Sequence, residues 1–112
     1  MRYMILSPEY YTMLVLRKFM TDISASAVFV GWAEDISSAR QIIAESHPFL
    51  ILGEVELADG SLWNVVNGWP GYVIPIYESL TDSETQCGHH CPGKLVKPVS
   101  VGDLKKILFH LK

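Results

Sequence analysis

Five short apolar segments alternate along the chain with segments whose apolar residues recur at helical spacing. This alternation constrains the fold more than any other feature of the sequence. The predicted strands cover residues 3–6, 27–33, 49–52, 72–77 and 94–96. A predicted helix follows each strand, and repeats of this kind build a parallel sheet with helices on both faces. The sequence therefore predicts one α/β domain over residues 1–112.

The five predicted helices differ in length. The third spans no more than residues 61–67, and glycine and proline soon interrupt the fourth, which opens at residue 81. Helices three and four are therefore expected to be shortened. In the first helix, the spacing predicts a buried stripe of Tyr11, Leu14, Val15 and Phe19.

Composition and charge argue against several classes of protein. The net charge of −3, with no run of lysine or arginine, argues against direct contact with nucleic acid. No apolar run approaches the roughly 20 residues of a membrane-spanning helix, and no secretory signal peptide is recognisable. The expectation is a soluble cytoplasmic domain without a membrane partner. Its two cysteines, Cys87 and Cys91, are expected to be reduced.

Polar residues follow the predicted strands at the edge where open parallel sheets place their active groups. The apolar run that ends at Leu52 leads into Glu54, and Glu9 follows the first strand. The fourth and fifth strands are followed by a hydroxyl and a lysine. For a strand order of 2-1-3-4-5, the rule brings together Glu9, Glu54, a hydroxyl of Tyr77 or Ser79, and Lys97.

Two segments resemble the receiver domain of bacterial two-component response regulators, and the resemblance spans nearly the whole chain. Residues 94–104, Lys-Leu-Val-Lys-Pro-Val-Ser-x-x-Asp-Leu, are similar to the family's strand-5 Lys-Pro and last helix. Residues 47–60, His-Pro-x-Leu-Ile-Leu-x-Glu-x-x-Leu-x-Asp-Gly, are similar to the segment that carries the phospho-accepting aspartate. The resemblance implies a CheY-like, flavodoxin-like three-layer sandwich with sheet order 2-1-3-4-5. It also implies a cis Lys97–Pro98 peptide bond.

The resemblance assigns positions to several site residues. Glu54 stands at the phospho-acceptor position, where the family has aspartate, and Lys97 stands at the conserved-lysine position. The switch hydroxyl aligns with Tyr77, and Ser79 lies two residues later. Simpler interpretations stay open. Glu54 would then be a solvated acid, Lys97 would only mark the end of a strand, and Tyr77 would be a packing aromatic.

The resemblance fails at the acid pair that holds Mg²⁺ in the family. Those positions are Ser7 and Pro8 here, and the neighbouring Glu9 is the remaining acid of that pocket. An acid at Glu9 is also typical of the first turn of a helix, so this simpler interpretation stays open. Mg²⁺ requires carboxylates in near-octahedral oxygen coordination. We therefore expect no cofactor and no bound Mg²⁺.

The resemblance implies a degenerate receiver, or pseudo-receiver. Such a chain would signal through protein–protein contact independently of phosphorylation and would not be an enzyme. Glu54 would be a fixed negative charge paired with Lys97. The expected partner is a histidine kinase or another signalling protein, or a second copy. Contact is expected through the helix 4–strand 5–helix 5 face, around Lys94, Lys105 and residues 87–93. The alternative is a working phospho-acceptor that catalyses its own phosphorylation and dephosphorylation.

A second candidate site is the segment Cys-Gly-His-His-Cys at residues 87–91. Cys87, His89, His90 and Cys91 are possible Zn²⁺ ligands. Structural zinc sites normally draw on two separated ligand pairs, and adjacent ligands in one short loop do not easily complete a tetrahedron. The prediction is therefore that no metal binds there. A metal- or redox-sensing module that uses this loop is the second alternative.

Overall fold

The structure is a computed structural model, and it describes residues 1–79 and 90–111. Its elements in chain order are β1 (Arg2–Leu6), α1 (Tyr10–Ile23), β2 (Val28–Ala33), α2 (Ile36–Ser46), β3 (Leu50–Glu54), β4 (Glu56–Leu57), β5 (Gly60–Ser61), α3 (Leu62–Val66), β6 (Tyr72–Tyr77), β7 (Leu95–Val96) and α4 (Val101–Phe109). The predicted helix that opens at residue 81 lies outside the described residues. None of the described helices is both long and apolar enough to cross a membrane.

Five parallel strands form the main sheet in the order β2-β1-β3-β6-β7. The predicted order 2-1-3-4-5 is confirmed, because β6 and β7 are the fourth and fifth strands of this sheet. The antiparallel pair β4–β5 lies outside the sheet and was not predicted. This hairpin occupies the segment between Glu54 and the short helix α3.

Helices cover both faces of the sheet, so the predicted three-layer arrangement is confirmed. Tyr3 and Ile5 of β1 belong to a core that also contains residues of α1 and α4. Met4 and Leu6 belong to a second core with residues of α2 and α3. This division follows the two-residue period of a strand, and a parallel sheet has two apolar faces.

The buried stripe of α1 differs from the predicted one. Met13, Leu16 and Met20 are buried, whereas Tyr11 and Leu14 are exposed. The helix carries apolar residues on nearly all of its sides, so that more than one stripe satisfies helical spacing. The predicted phase of this helix was wrong because packing against the sheet, and not periodicity, selects the buried side.

Two carboxylates bind the N-terminus of α2. Asp35 is the N-cap residue and accepts a hydrogen bond of 2.8 Å from the Ser38 backbone N–H. Asp59 accepts one of 3.0 Å from the Ile36 backbone N–H. It therefore ties the β4–β5 hairpin to α2. Gly60 beside it has φ 146°, and a Cβ there would lie 2.5 Å from Ile36 Cδ1.

Candidate functional site

Neighbouring strands bring three charged residues to the carboxyl edge of the sheet. Glu54 is the last residue of β3 and lies opposite Ile76 of β6. Glu78 comes directly after β6, and Lys97 comes directly after β7. The backbone N–H of Lys97 donates to the Tyr77 carbonyl at 2.9 Å, which continues the pairing of β6 with β7. Parallel pairing therefore places Glu54, Glu78 and Lys97 side by side.

Lys97 lies at the centre of three carboxylates. Its Nζ is 2.6 Å from Glu54 Oε1 and 3.0 Å from Glu78 Oε1. It also donates a hydrogen bond to Glu9 Oε1. An ammonium group has three N–H donors, and the three carboxylates provide one acceptor for each donor. We refer to Glu9, Glu54, Glu78 and Lys97 as the lysine cluster.

Burial within the lysine cluster decreases from the sheet towards solvent. The exposed fraction of the side chain is 6% for Glu54, 19% for Lys97, 56% for Glu9 and 63% for Glu78. The contact between Glu54 and Lys97 is therefore screened least by water. Glu54 is buried, so its interpretation as a solvated acid is wrong. The hypothesis that Glu54 is a fixed charge requires it to contact Lys97, and this contact is observed. The roles of Glu54 and Lys97 stay predictions.

Ser7 holds the second carboxylate oxygen of Glu54. The Ser7 side chain is fully buried, and its hydroxyl donates a hydrogen bond to Glu54 Oε2. The backbone N–H of Glu9 donates to Ser7 Oγ at 3.1 Å, and Trp32 Nε1 donates to the Ser7 carbonyl at 2.9 Å. Ser7 and Lys97 therefore fix both oxygens of Glu54.

The pairing shifts two pKa values in the lysine cluster. Burial by itself would lower the pKa of the Lys97 ammonium, but hydrogen bonds to Glu54, Glu9 and Glu78 outweigh burial and raise it above its usual value. The hydrogen bond from Lys97, together with its charge, lowers the pKa of the Glu9 carboxyl. Both shifts favour the charged forms at neutral pH. Within residues 1–79 and 90–111, every buried side-chain nitrogen and oxygen has a hydrogen-bond partner.

Solved structures of receiver domains resemble the whole of this chain. A double mutant of the anti-anti-sigma factor PhyR from Bartonella quintana has a TM-score of 0.80 at 19% identity, over 97% of this chain and 47% of its own. The PhyR receiver domain from Erythrobacter litoralis has a TM-score of 0.76 at 18% identity, over 98% and 88%. A CheY-like receiver domain from Methylobacillus flagellatus has a TM-score of 0.81 at 13% identity, over 99% and 98%. The chain has the receiver-domain fold.

These similarities establish the fold of the chain and not its activity. The chain spans about half of the Bartonella PhyR chain but nearly all of the Methylobacillus receiver domain. No protein-family model and no curated protein sequence matches the chain. The cis Lys97–Pro98 peptide bond that the receiver resemblance predicts is present.

The predicted switch residues lie at the same edge of the receiver fold. Tyr77 ends β6 with 3% of its surface exposed, and burial raises the pKa of its hydroxyl. The Nζ atom of Lys94 lies 5.9 Å from the centroid of the Tyr77 ring, which is within cation–π range. Ser79 is half-buried. The burial of the Tyr77 ring fits a packing aromatic, and the switch role of either hydroxyl stays a prediction.

Sequence reasoning missed Ser7 and Glu78 as parts of the site. Ser7 was treated as a lost metal-binding acid, yet it is a hydrogen-bond donor to Glu54. Glu78 was passed over in favour of the hydroxyls on either side of it. Its position directly after the fourth strand of the sheet was the available signal, because the first residue beyond a parallel strand lies at the carboxyl edge.

The Mg²⁺ ion implied by the receiver fold does not fit the lysine cluster as it is arranged. Among the described residues, Glu9, Glu54 and Glu78 are the one group of three possible metal ligands, with a ligand atom from each within 4.8 Å of the others. Oxygen ligands of this kind suit Mg²⁺ or Ca²⁺. However, the Lys97 ammonium lies among these carboxylates and binds an oxygen of each one.

The structure describes only part of the segment at residues 87–91. Cys87 and His89 lie outside the described residues. The His90 carbonyl accepts a hydrogen bond of 3.1 Å from the Val73 backbone N–H, and its ring lies 6.2 Å from that of Tyr72. Cys91 is disulfide-bonded, so the expectation of a reduced thiol is wrong at this position. A sulfur in a disulfide is not a thiolate ligand for a metal.

Proposed function

We propose that this chain is a non-catalytic signalling module of receiver fold that acts through protein–protein contact, independently of phosphorylation. The observation that supports this proposal is the state of Lys97. All three of its N–H donors are matched by carboxylates, one of them belonging to Glu54 at the phospho-acceptor position. A lysine in this state has no donor left for an incoming phosphoryl group.

The charge of the site also opposes phosphoryl transfer. Transfer depends on cations that neutralise the oxygens of the transferred group. Here three carboxylates face one ammonium, so the site has an excess of negative charge that repels a phosphoryl donor. Glu54 is also shielded, because its side chain is 6% exposed and Ser7 binds its other oxygen. The carboxylate of Glu54 thus serves as a permanent charge that holds one conformation.

Protein partners are proposed from the receiver fold and from one exposed surface. The Bartonella neighbour is named an anti-anti-sigma factor, which implies a protein partner for that molecule. In this chain, Val101 and Phe109 of α4 are 42% and 74% exposed, and Lys94 and Lys105 are exposed nearby in the sequence. We define Lys94, Val101, Lys105 and Phe109 as the α4 surface and propose that it contacts the partner.

Exposure to a phosphoryl donor tests the proposal. The chain is incubated with acetyl phosphate and Mg²⁺, and separately with beryllofluoride and Mg²⁺, and its intact mass and NMR spectrum are recorded. A receiver domain known to accept phosphate serves as the positive control. The proposal predicts no phosphoryl adduct and no spectral change. An adduct at Glu54, located by peptide mapping, would overturn it.

A working phospho-acceptor is the second candidate, and one observation favours it. The structure brings three carboxylates together where the sequence predicted two, those of Glu9 and Glu54. Carboxylates are the groups that hold Mg²⁺ in phosphoryl transfer. This candidate requires the Lys97 ammonium to leave the cluster when Mg²⁺ and a phosphoryl donor arrive, and the same incubation detects that change.

A further inference from the structure

We propose that a groove beside α3 binds a neutral, proline-rich segment of a protein partner. The groove has a volume of about 800 Å³, which lies within the range of ligand-binding clefts, and Trp63 and Trp69 line it together with Val73 of β6 and His90. None of its described lining residues belongs to the lysine cluster or to the α4 surface. The groove is therefore a second surface for protein contact, beyond the one in the proposed function.

The short helix α3 and the turn after it bring the two tryptophans to one groove. Trp63 lies in α3, and its carbonyl accepts a hydrogen bond of 3.2 Å from the Asn67 backbone N–H, where the helix ends. Gly68 then takes φ 80°, a left-handed conformation that favours glycine, and the Trp69 backbone N–H donates to the Val66 carbonyl at 3.0 Å. Both indoles are half-buried and pack against the second core. Their rings are therefore held in place before a ligand binds.

The backbone on either side of the groove supports these rings. A Cβ at Gly71 would overlap the Trp69 indole, so the ring lies directly against the chain before β6. On the other side, the His90 carbonyl accepts a hydrogen bond of 3.1 Å from the Val73 backbone N–H. This hydrogen bond joins His90 to β6. The groove is thus bounded by backbone that is itself bonded to the main sheet.

The indole N–H groups of the groove have no hydrogen-bond partner among the described residues. Trp32 Nε1 donates to the Ser7 carbonyl at 2.9 Å, whereas no described residue accepts from the indole of Trp63 or Trp69. Every buried side-chain nitrogen in the described part of the chain has a partner, so these two N–H groups reach solvent. An indole N–H can only donate. A ligand that uses both groups therefore has to offer acceptors.

A proline-rich segment has the chemistry that the groove requires. The described lining includes no Asp, Glu, Lys or Arg, so a charged ligand would meet no counter-charge there. A prolyl residue has a carbonyl acceptor but no N–H. In the polyproline II conformation the carbonyls make no internal hydrogen bonds, and the segment is already ordered, so that binding costs little conformational entropy. Aromatic-lined grooves recognise segments of this kind, and an indole supplies both an apolar face and a donor.

Titration of the isotope-labelled wild-type chain with a decaproline peptide, followed by ¹H–¹⁵N NMR, tests the inference. The three indole N–H signals are assigned by triple-resonance spectra of the same protein. We expect the signals of Trp63 and Trp69 to shift with peptide concentration, while that of Trp32 stays, because its N–H is already bonded to Ser7. A glycine–serine peptide of equal length is the control and should shift none of them. Absence of both shifts, or equal shifts of all three signals, overturns the inference.

Phenylalanine substitutions test the two donors. Trp63→Phe and Trp69→Phe each keep an aromatic ring and remove one N–H, and each should weaken decaproline binding about three- to tenfold. Tyr11→Phe removes a hydroxyl from an exposed aromatic of α1 and, as the matched control, should bind like the wild type. Wild-type affinity in both tryptophan variants contradicts the inference. Where a variant does not fold, the wild-type titration decides.

A parallel titration with maltohexaose, a neutral carbohydrate, tests the class of ligand. Shifts of the Trp63 and Trp69 signals with maltohexaose but not with decaproline would overturn the assignment of a proline-rich segment. The result is independent of the proposed function, whose test is the phosphoryl adduct. An adduct at Glu54 would overturn that function and leave the shifts of the indole signals intact.

Discussion

The lysine cluster and the α4 surface use their side chains in opposite ways. In the lysine cluster, three carboxylates and one ammonium bind each other, and Ser7 binds the most deeply buried carboxylate. On the α4 surface, Val101 and Phe109 are 42% and 74% exposed. Exposed apolar side chains suit contact with another protein. The comparison indicates that the charged groups at the carboxyl edge bind one another, whereas the apolar side chains of the α4 surface face solvent.

The largest effect on stability is expected from Lys97→Met. This change leaves the buried carboxylate of Glu54 without its counter-charge, and breaking a buried ion pair costs about 3 kcal/mol when one partner keeps some contact with water. Urea denaturation in the absence of divalent cations measures the loss. The control Lys94→Met should lose less than about 1 kcal/mol. Equal losses in both variants would show that the lysine cluster contributes no more than an ordinary surface lysine.

A smaller effect is expected from Ser7→Ala. The change removes the hydroxyl that donates to Glu54 Oε2, and a buried acceptor that loses its donor costs about 1 to 2 kcal/mol. Ser37→Ala, in the exposed first turn of α2, is the matched control and should change the free energy of unfolding by less than about 0.5 kcal/mol. If both serine variants unfold at the same urea concentration, Ser7 does not fix Glu54.

The pH dependence of stability should show the pairing of Glu9. Its pKa lies below the ordinary value of 4.5, so the contribution of Glu9 is present above that pH and is lost as the pH falls through the lowered pKa. The raised pKa of Lys97 acts in the opposite direction. Its contribution is present below the ordinary value of 10.5 and is lost only as the pH rises through the raised pKa.

Thermal unfolding from neutral to acidic pH measures the contribution of Glu9. The unfolding midpoint of the wild type should fall more steeply below about pH 4.5 than that of Glu9→Gln, which cannot titrate at this position. Between pH 4.5 and pH 10.5, the ordinary pKa values of Glu9 and Lys97, the unfolding midpoints of the wild type and Glu9→Gln should differ by a constant amount. Parallel curves throughout the acidic range would contradict the pairing of Glu9 with Lys97.

The smallest effect on stability is expected on the α4 surface. Phe109→Ser should change the free energy of unfolding by less than about 0.5 kcal/mol, because 74% of the residue is already exposed. It should nevertheless weaken capture of the partner by immobilised protein about tenfold or more. Tyr11→Ser is the control, since Tyr11 is 77% exposed and belongs to a different helix, α1. Equal capture by the two variants would exclude the α4 surface as the contact.

The sequence predicted the sheet better than it predicted the packing of α1. Strand order follows from the alternation of strands and helices, which leaves few topologies for a parallel sheet. The buried side of α1 was predicted wrongly because its apolar residues surround the helix, and only contact with the sheet selects Met13, Leu16 and Met20. The β4–β5 hairpin was missed because each of its strands has only two residues.

At the carboxyl edge, the sequence predicted the contact between Glu54 and Lys97 but not its surroundings. That pair follows from strand ends, which topology brings together. The roles of Ser7 and Glu78 depend on where individual side chains point, and strand periodicity does not determine that. The absence of the Mg²⁺-binding acid pair at residues 7 and 8 therefore suggested a site poor in carboxylates. The structure instead shows three carboxylates bound to a lysine.

The central claim is that the Lys97 ammonium is held by three carboxylates in the resting protein and stays there when phosphoryl donors are present. Side-chain ¹H–¹⁵N NMR of the lysine ammonium groups tests it most directly, with Lys97→Met used to assign the signal. The account predicts a Lys97 ammonium signal that is protected from solvent exchange, unlike that of Lys94, and that does not change on addition of acetyl phosphate and Mg²⁺. A Lys97 signal that exchanges as fast as that of Lys94, or that shifts when the phosphoryl donor is added, would contradict it.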